Sequence, residues 1–161
     1  MIPNMPHIDE VDRALLTLLQ KDARRTNKEL ADAVGIAQST CLERIRSLRA
    51  RGVITGYRAE VDPATVGRPI RALINVRLRP KTRASVQAFQ RDMLHQPETL
   101  AVSTVSGTDD FVLEVAVPNV IHLRDFILDR VTSRKEVVDS RSTIVYEQVR
   151  AAVVEPLGTK P

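Results

Sequence analysis

The sequence predicts an α+β chain, helical first and sheet-forming second, and three observations carry that expectation. Residues 26–52, TNKELADAVGIAQSTCLERIRSLRARG, hold two short amphipathic segments that meet at Gly35. After Gly52 the composition becomes β-prone. From Ile70 onward, strand and helix periodicities follow one another as strand, helix, strand, strand, helix, strand. Two helices around a tight turn, then a β-prone pair, then βαββαβ, amount to an N-terminal winged helix-turn-helix domain followed by a ferredoxin-like domain.

The elements follow in order. Residues 1–7 hold two prolines and read as a loose arm. Asp9 suits the cap of a helix over EVDRALLTLLQKDA, with Asp12 near its positive end. Val11, Leu15, Leu18 and Leu19 fall on one face of that helix. Thr26 and Glu29 have the spacing of a capping box for a helix over Asn27–Val34, and Gly35 ends it in a left-handed conformation. A second helix runs from Gln38 to about Arg51 and stops at Gly52. Leu30, Val34, Ile36, Cys41, Ile45 and Leu48 complete a three-helix core. VITGYRAEVD (53–62) then reads as two short strands about a Gly-Tyr turn, a small wing. DPATVGRP (62–69) is the linker. The expected division is a domain over 1–61, a second over 70–150 and a tail over 151–161.

In the second domain Ile70–Arg79 alternates apolar and polar residues, as a half-buried strand does. Val86, Phe89, Met93 and Leu94 mark a helix over Thr82–His95. Leu100–Ser106 and Phe111–Val117 are strands around GTDD. Asn119 caps a helix that reaches about Arg130, and 137–149 contains the last strand. An antiparallel sheet with helices on one face leaves the other face open. That face is expected to be apolar and to dimerise.

Composition removes several functions. The chain has 161 residues and a formal charge of +4, a mild lean towards polyanions. Cys41 is the lone cysteine, which excludes an internal disulfide and a cysteine zinc cluster. Two tyrosines, three phenylalanines and no tryptophan are too few for recognition of single strands by base stacking. His7, His95 and His122 are scattered, and no phosphate loop, metal-ligand cluster or nucleophile-base motif is present, so neither enzyme activity nor a cofactor is expected. No apolar run approaches a membrane span, and MIPNMPHIDEVD lacks the character of a signal peptide, which points to the cytoplasm.

At about 100° per residue, the second helix of the pair buries Cys41, Ile45 and Leu48 and turns Ser39, Glu43, Arg46 and Ser47 outward. Gln38, Thr40, Leu42 and Arg44 lie on the shoulders. The N-terminal half of such a helix meets base edges in the DNA major groove. Gln38, Ser39, Thr40, Glu43, Arg44, Arg46 and Ser47 are therefore the candidate groove residues. Gln pairs with adenine, Arg with guanine, and Glu accepts from cytosine. Arg24, Arg25, Lys28, Arg49 and Arg51 suit phosphate contacts. Ala37 stands where an N-capping side chain is expected, so either Ser39 caps a later start or the helix begins uncapped.

These pieces in this order resemble the Lrp/AsnC (leucine-responsive/asparagine regulator) family of transcription regulators. The matching stretches are DEVDRALLTLLQKDAR, ELADAVGI, CLERIRSLRARGVITGYRAEVDP and QPETLAVSTVSGTDDFVLEVAV. The resemblance implies a regulator of double-stranded DNA that forms a homodimer and assembles further to a tetramer or octamer. It also implies a small-molecule effector, usually an amino acid, near a G-x-x-D turn at a subunit interface, matched here by Gly107 and Asp110. Thr104, Ser106, Gly107, Thr108, Asp109 and Asp110 are the candidate effector residues, with Ser142 and Thr143 behind them. The alternative is an amino-acid-sensing oligomeric interaction module that does not read DNA.

Overall fold

The structure is a computed structural model that describes residues 7–156, so the arm at 1–6 and the end of the tail at 157–161 lie outside the described residues. It divides into two units, one of residues 7–59 with 149–156 and one of residues 60–148. The segment 62–69 therefore groups with the second unit and the start of the tail with the first.

The first unit is built on helical spacing. Helix α1 spans Glu10–Lys21, and the Asp9 carboxylate caps it by accepting the Asp12 N–H at 2.8 Å. Helix α2 spans Asn27–Val34. Its Thr26 hydroxyl accepts the Glu29 N–H while the Glu29 carboxylate accepts the Thr26 N–H, which is the expected capping box. Gly35 closes α2 at φ 71°, a conformation that glycine takes without a Cβ clash. Helix α3 spans Gln38–Ala50 and begins uncapped at Ala37. Asn27 Nδ2 instead donates to the Gln38 carbonyl at 2.8 Å, joining the start of α2 to the start of α3. Leu15, Leu19, Leu30, Ala31 and Cys41 form the core, with Val11, Leu18, Val34, Ile36, Ile45 and Ile54 packed around them. Burial pushes the Cys41 thiol up, which suits a plain core side chain.

The wing does not form. Residues 53–62 contain no strand. Val53 and Ile54 donate their N–H groups to the Leu48 carbonyl, at 2.9 and 3.2 Å, and finish α3 instead. Gly56 is not among the glycines at positive φ, the backbone conformation on which tight hairpin turns depend, and two short strands without a third are marginal in water.

A carboxylate pinned by two guanidinium groups sets the angle of α3. Asp12 is 7% exposed. Arg44 Nη1 donates to Asp12 Oδ1 at 2.9 Å and to Asp9 Oδ2 at 2.6 Å. Arg51 Nη2 reaches Asp12 Oδ2 at 3.4 Å, and its Nη1 donates to the His7 carbonyl at 2.8 Å. The Asp12 amide and the Arg44 guanidinium hold the Asp9 carboxyl below its usual value.

The second unit is βαββαβ. Strand β1 is Ile70–Leu78, helix α4 Arg83–Leu94, β2 Thr99–Thr104, β3 Phe111–Val117, helix α5 Val120–Phe126 and β4 Val137–Val145. Helix α5 continues as a π-helical segment, Ile127–Thr132. The sheet order is β2-β3-β1-β4 and every pairing is antiparallel. Along β1, Ala72, Ile74, Val76 and Leu78 point into a core shared with Phe89, Met93, Leu113, Leu123 and Phe126. The Phe89 and Phe111 rings stack at 4.8 Å.

The open face differs from the apolar surface expected. On it, Arg71 pairs with Glu114 and Arg77 with Asp139, while Asn75 faces Arg141 across β1 and β4. Leu73 and Val112 lie among these polar groups. Alternation identified the outward positions, but charged side chains fill many of them.

The GTDD turn is anchored by its last residue. Asp110 is 4% exposed, and its Oδ2 accepts the Leu78 N–H at 2.8 Å while Lys81 Nζ lies 2.5 Å from Oδ1. Its own N–H donates to the Val76 carbonyl at 2.9 Å, and its carbonyl accepts the Val105 N–H. Burial alone would raise this carboxyl, but the Lys81 ammonium and the Leu78 amide outweigh it and leave it below its usual value.

Two outcomes follow. Asp12→Ala leaves Arg51 with only the His7 carbonyl and costs about 1–3 kcal/mol, read as a lower midpoint in urea unfolding. Because the Asp110 carboxyl is depressed in the fold, its stabilisation is complete above about pH 4 and fades as pH falls through the folded value. Urea unfolding across pH should therefore show the gap between wild type and Asp110→Asn narrowing in acid. A gap independent of pH would contradict this account of Asp110.

Candidate functional site

The exposed side of α3 is set by what its other sides touch. Cys41 and Leu48 are buried, and Arg44 and Arg51 are turned to α1. Gln38, Ser39, Thr40, Leu42, Glu43, Arg46, Ser47 and Arg49 are left exposed. Among the described residues, no ion pair or side-chain hydrogen bond engages Ser39, Thr40, Glu43, Arg46 or Ser47. Such side chains are free to exchange water for a ligand at little cost.

Arg44 is placed differently from these residues. The helical wheel placed it on a shoulder open to DNA, whereas its guanidinium is committed to Asp9 and Asp12. The hydrogen bonds to these carboxylates, Asp9 first, hold its charge more firmly still. Arg51, expected at phosphate, is likewise held by Asp12 and the His7 carbonyl. Arg49 is exposed, with its guanidinium 6.0 Å above the Tyr57 ring.

Arg24, Arg25 and Lys28 cluster where α1 passes into α2. Arg24 lies 3.7 Å from Asp22 in an exposed pair, a contact worth little in water. Asp22, Arg24, Arg25 and Glu29 line a shallow open groove there. The Thr26 amide and hydroxyl hold the Glu29 carboxyl below its usual value, so this edge carries mixed charge.

The GTDD turn separates into held and free residues. Gly107 takes φ 114°, a backbone conformation that glycine tolerates and other residues rarely adopt. Ser106, Gly107 and Thr108 are exposed. Asp109 is bound by Asn75 Nδ2 at 2.8 Å and by Arg141 Nη2 at 2.7 and 2.9 Å. Asp110 is buried and partnered, so of its two expected roles the geometry favours organising the turn. Strand β2 ends at Thr104, so Ser106 belongs to the turn. Thr104 pairs with the core residue Phe111, which places it on the helix side of the sheet. Thr143 sits on the open face opposite Leu73, and Ser142 on the helix side opposite Ile74.

Sequence reasoning missed Asn75, Lys81 and Arg141. Period-two alternation would have put Asn75 and Arg141 on outward positions, but only strand pairing brings them to Asp109. Among the described residues no cluster of His, Cys, Asp or Glu could hold a metal ion, and no helix is long and apolar enough to cross a membrane.

Comparison with known proteins covers both units. Residues 8–49 match the AsnC-type helix-turn-helix domain, and residues 71–153 match the Lrp/AsnC ligand binding domain. The HTH-type transcriptional regulator AldR of Mycobacterium tuberculosis is 38% identical over 145 residues, covering 90% of this chain and 81% of AldR. A leucine-responsive regulatory protein of Rhizobium meliloti is 34% identical over 90% of this chain and 93% of its own length. The crystal structure of a Neisseria meningitidis transcriptional regulator in complex with L-Met superposes with a TM-score of 0.83 at 28% identity, covering 90% of this chain and 94% of that one. With both domains matched in order, the chain belongs to the Lrp/AsnC family of DNA-binding transcription regulators.

Proposed function

We propose that this regulator reads a near-palindromic operator through α3 and that an amino acid bound at the GTDD turn controls it. Support for the first part rests chiefly on one observation: Ser39, Glu43 and Arg46 stand exposed on the outward side of α3 with no side-chain partner among the described residues. With Gln38, Thr40 and Ser47 they make the reading set. Arg24, Arg25, Lys28 and Arg49 approach phosphates and fix register without selecting sequence. A homodimer presents two such helices to two half-sites, and assembly to a tetramer or octamer adds avidity. The protein acts in the cytoplasm, and it is a regulator without enzyme activity.

Support for the second part is the exposed turn and the L-Met complex of the Neisseria relative. An amino acid carries a carboxylate and an ammonium group. The amides around Gly107 and the guanidinium of Arg141 suit the first, and the hydroxyls of Ser106 and Thr108 with Asp109 suit the second. A small ligand needs walls that bury most of its surface, and one exposed turn is only one wall. A second copy supplies the other, which makes the site sensitive to assembly. The effector then acts by binding one arrangement better than another.

Anisotropy titrations over a range of salt concentrations test the DNA contacts. Arg25→Ala should weaken specific and random duplex alike and lower the slope of log affinity against log salt by about one unit. Glu43→Ala should change base preference and leave that slope in place. Binding to random duplex that ignores salt would favour the interaction module instead. For the effector, a thermal-shift screen of the common amino acids should find a stabilising ligand, with the rise in Tm reduced in Gly107→Val. DNA affinity without ligand should stay unchanged in that variant. Equal ligand responses in the two proteins would remove Gly107 from the site.

A further inference from the structure

Helix α3 presents one large apolar side chain that its core does not use. Leu42 is 39% exposed and lies outside the cluster formed by Leu15, Leu19, Leu30, Ala31 and Cys41. Its neighbours one turn away are Gln38 and Arg46, both exposed. Arg44 and Arg51 occupy the opposite shoulder, where they bind the Asp12 carboxylate of α1. The same clamp that ties Arg44 to Asp9 and Asp12 therefore turns the Gln38–Leu42–Arg46 row away from α1.

A lone exposed leucine is ordinary on a protein surface. Its place here is not, because it lies in the first half of the helix that approaches base edges. Leucine offers no donor or acceptor. Against the polar edge of guanine, adenine or cytosine it would desolvate hydrogen-bonding groups and return nothing. In the major groove thymine alone adds an apolar group, its C5 methyl.

We infer that Leu42 is a specificity-determining residue, which packs on the C5 methyl of one thymine in each half-site while Gln38 and Arg46 make polar contacts on either side of it. This rests on α3 being the reading helix. It adds a base to the recognised sequence that none of the polar side chains selects.

The test replaces the methyl group alone. The full-length protein first enriches duplexes from a random pool. Each thymine of the enriched half-site is then exchanged for deoxyuridine, which keeps the pairing and the groove hydrogen bonds. Wild type should lose about fourfold in affinity at one position, the factor expected for a single buried methyl-sized group. Leu42→Ala should bind thymine and deoxyuridine duplexes equally at that position, and Leu42→Met should keep most of the discrimination. An unchanged deoxyuridine penalty in Leu42→Ala would overturn the assignment, as would a wild-type profile with no sensitive thymine. Failure of the wild type to enrich any sequence is a different result, because it would overturn α3 as a reader and this assignment with it.

Discussion

The grip of Arg44 and Arg51 on Asp12 is the constraint on which the DNA-binding unit turns. A carboxylate this well buried is tolerated only when opposite charge and hydrogen bonds replace the water it has lost. Asp9 and Asp12 sit at the start of α1, and both arginines come from α3 or its end. The cluster therefore fixes the rotation of α3 about its own axis, which apolar packing alone specifies loosely. Rotation decides which side chains a duplex meets. Directional polar contacts add to the apolar packing of Leu15, Leu19 and Leu30 in specifying that rotation.

Most of the architecture was legible in the sequence because each signal was local. The Thr26–Glu29 box, Gly35 and the apolar face of EVDRALLTLLQKDA each act within a few residues, and the structure keeps all three. The order βαββαβ was readable for the same reason. The departures involve partners far apart in the chain. The partners that hold Arg44, Asp9 and Asp12, lie more than thirty residues away and are invisible to local pattern. The wing rests on β propensity, which reports fit to a pleated surface more than a backbone preference, and the described residues of the first unit hold no strand for 53–59 to join. Alternation locates the outward positions of the sheet but not the charges that populate them.

The GTDD turn shows how adjacent identical residues acquire opposite duties. Asp109 and Asp110 differ by one position, and the chain sends their side chains different ways. One goes to the open face and meets Asn75 and Arg141; the other goes inward to the Leu78 amide and Lys81. Composition could propose both as ligand-binding carboxylates. Only the backbone path separates the one that maintains the turn from the one beside its exposed surface. The exposed hydroxyls of Ser106 and Thr108 then depend on Asp110 for their position, although Asp110 need never touch a ligand.

The side-chain amide of Gln20 donates to the Val154 carbonyl and accepts the Val154 N–H, so α1 holds a residue from the far end of the chain by both of its main-chain polar groups. The second unit is in consequence an insertion within the first, entered after Ala59 and left before Val149. Two peptide tethers join the units where a simple tandem arrangement has one. A cut in either connection leaves the other intact. The few residues around Val154 thus belong to the DNA-binding unit in the same sense as α2 does, although more than a hundred residues separate them in the chain.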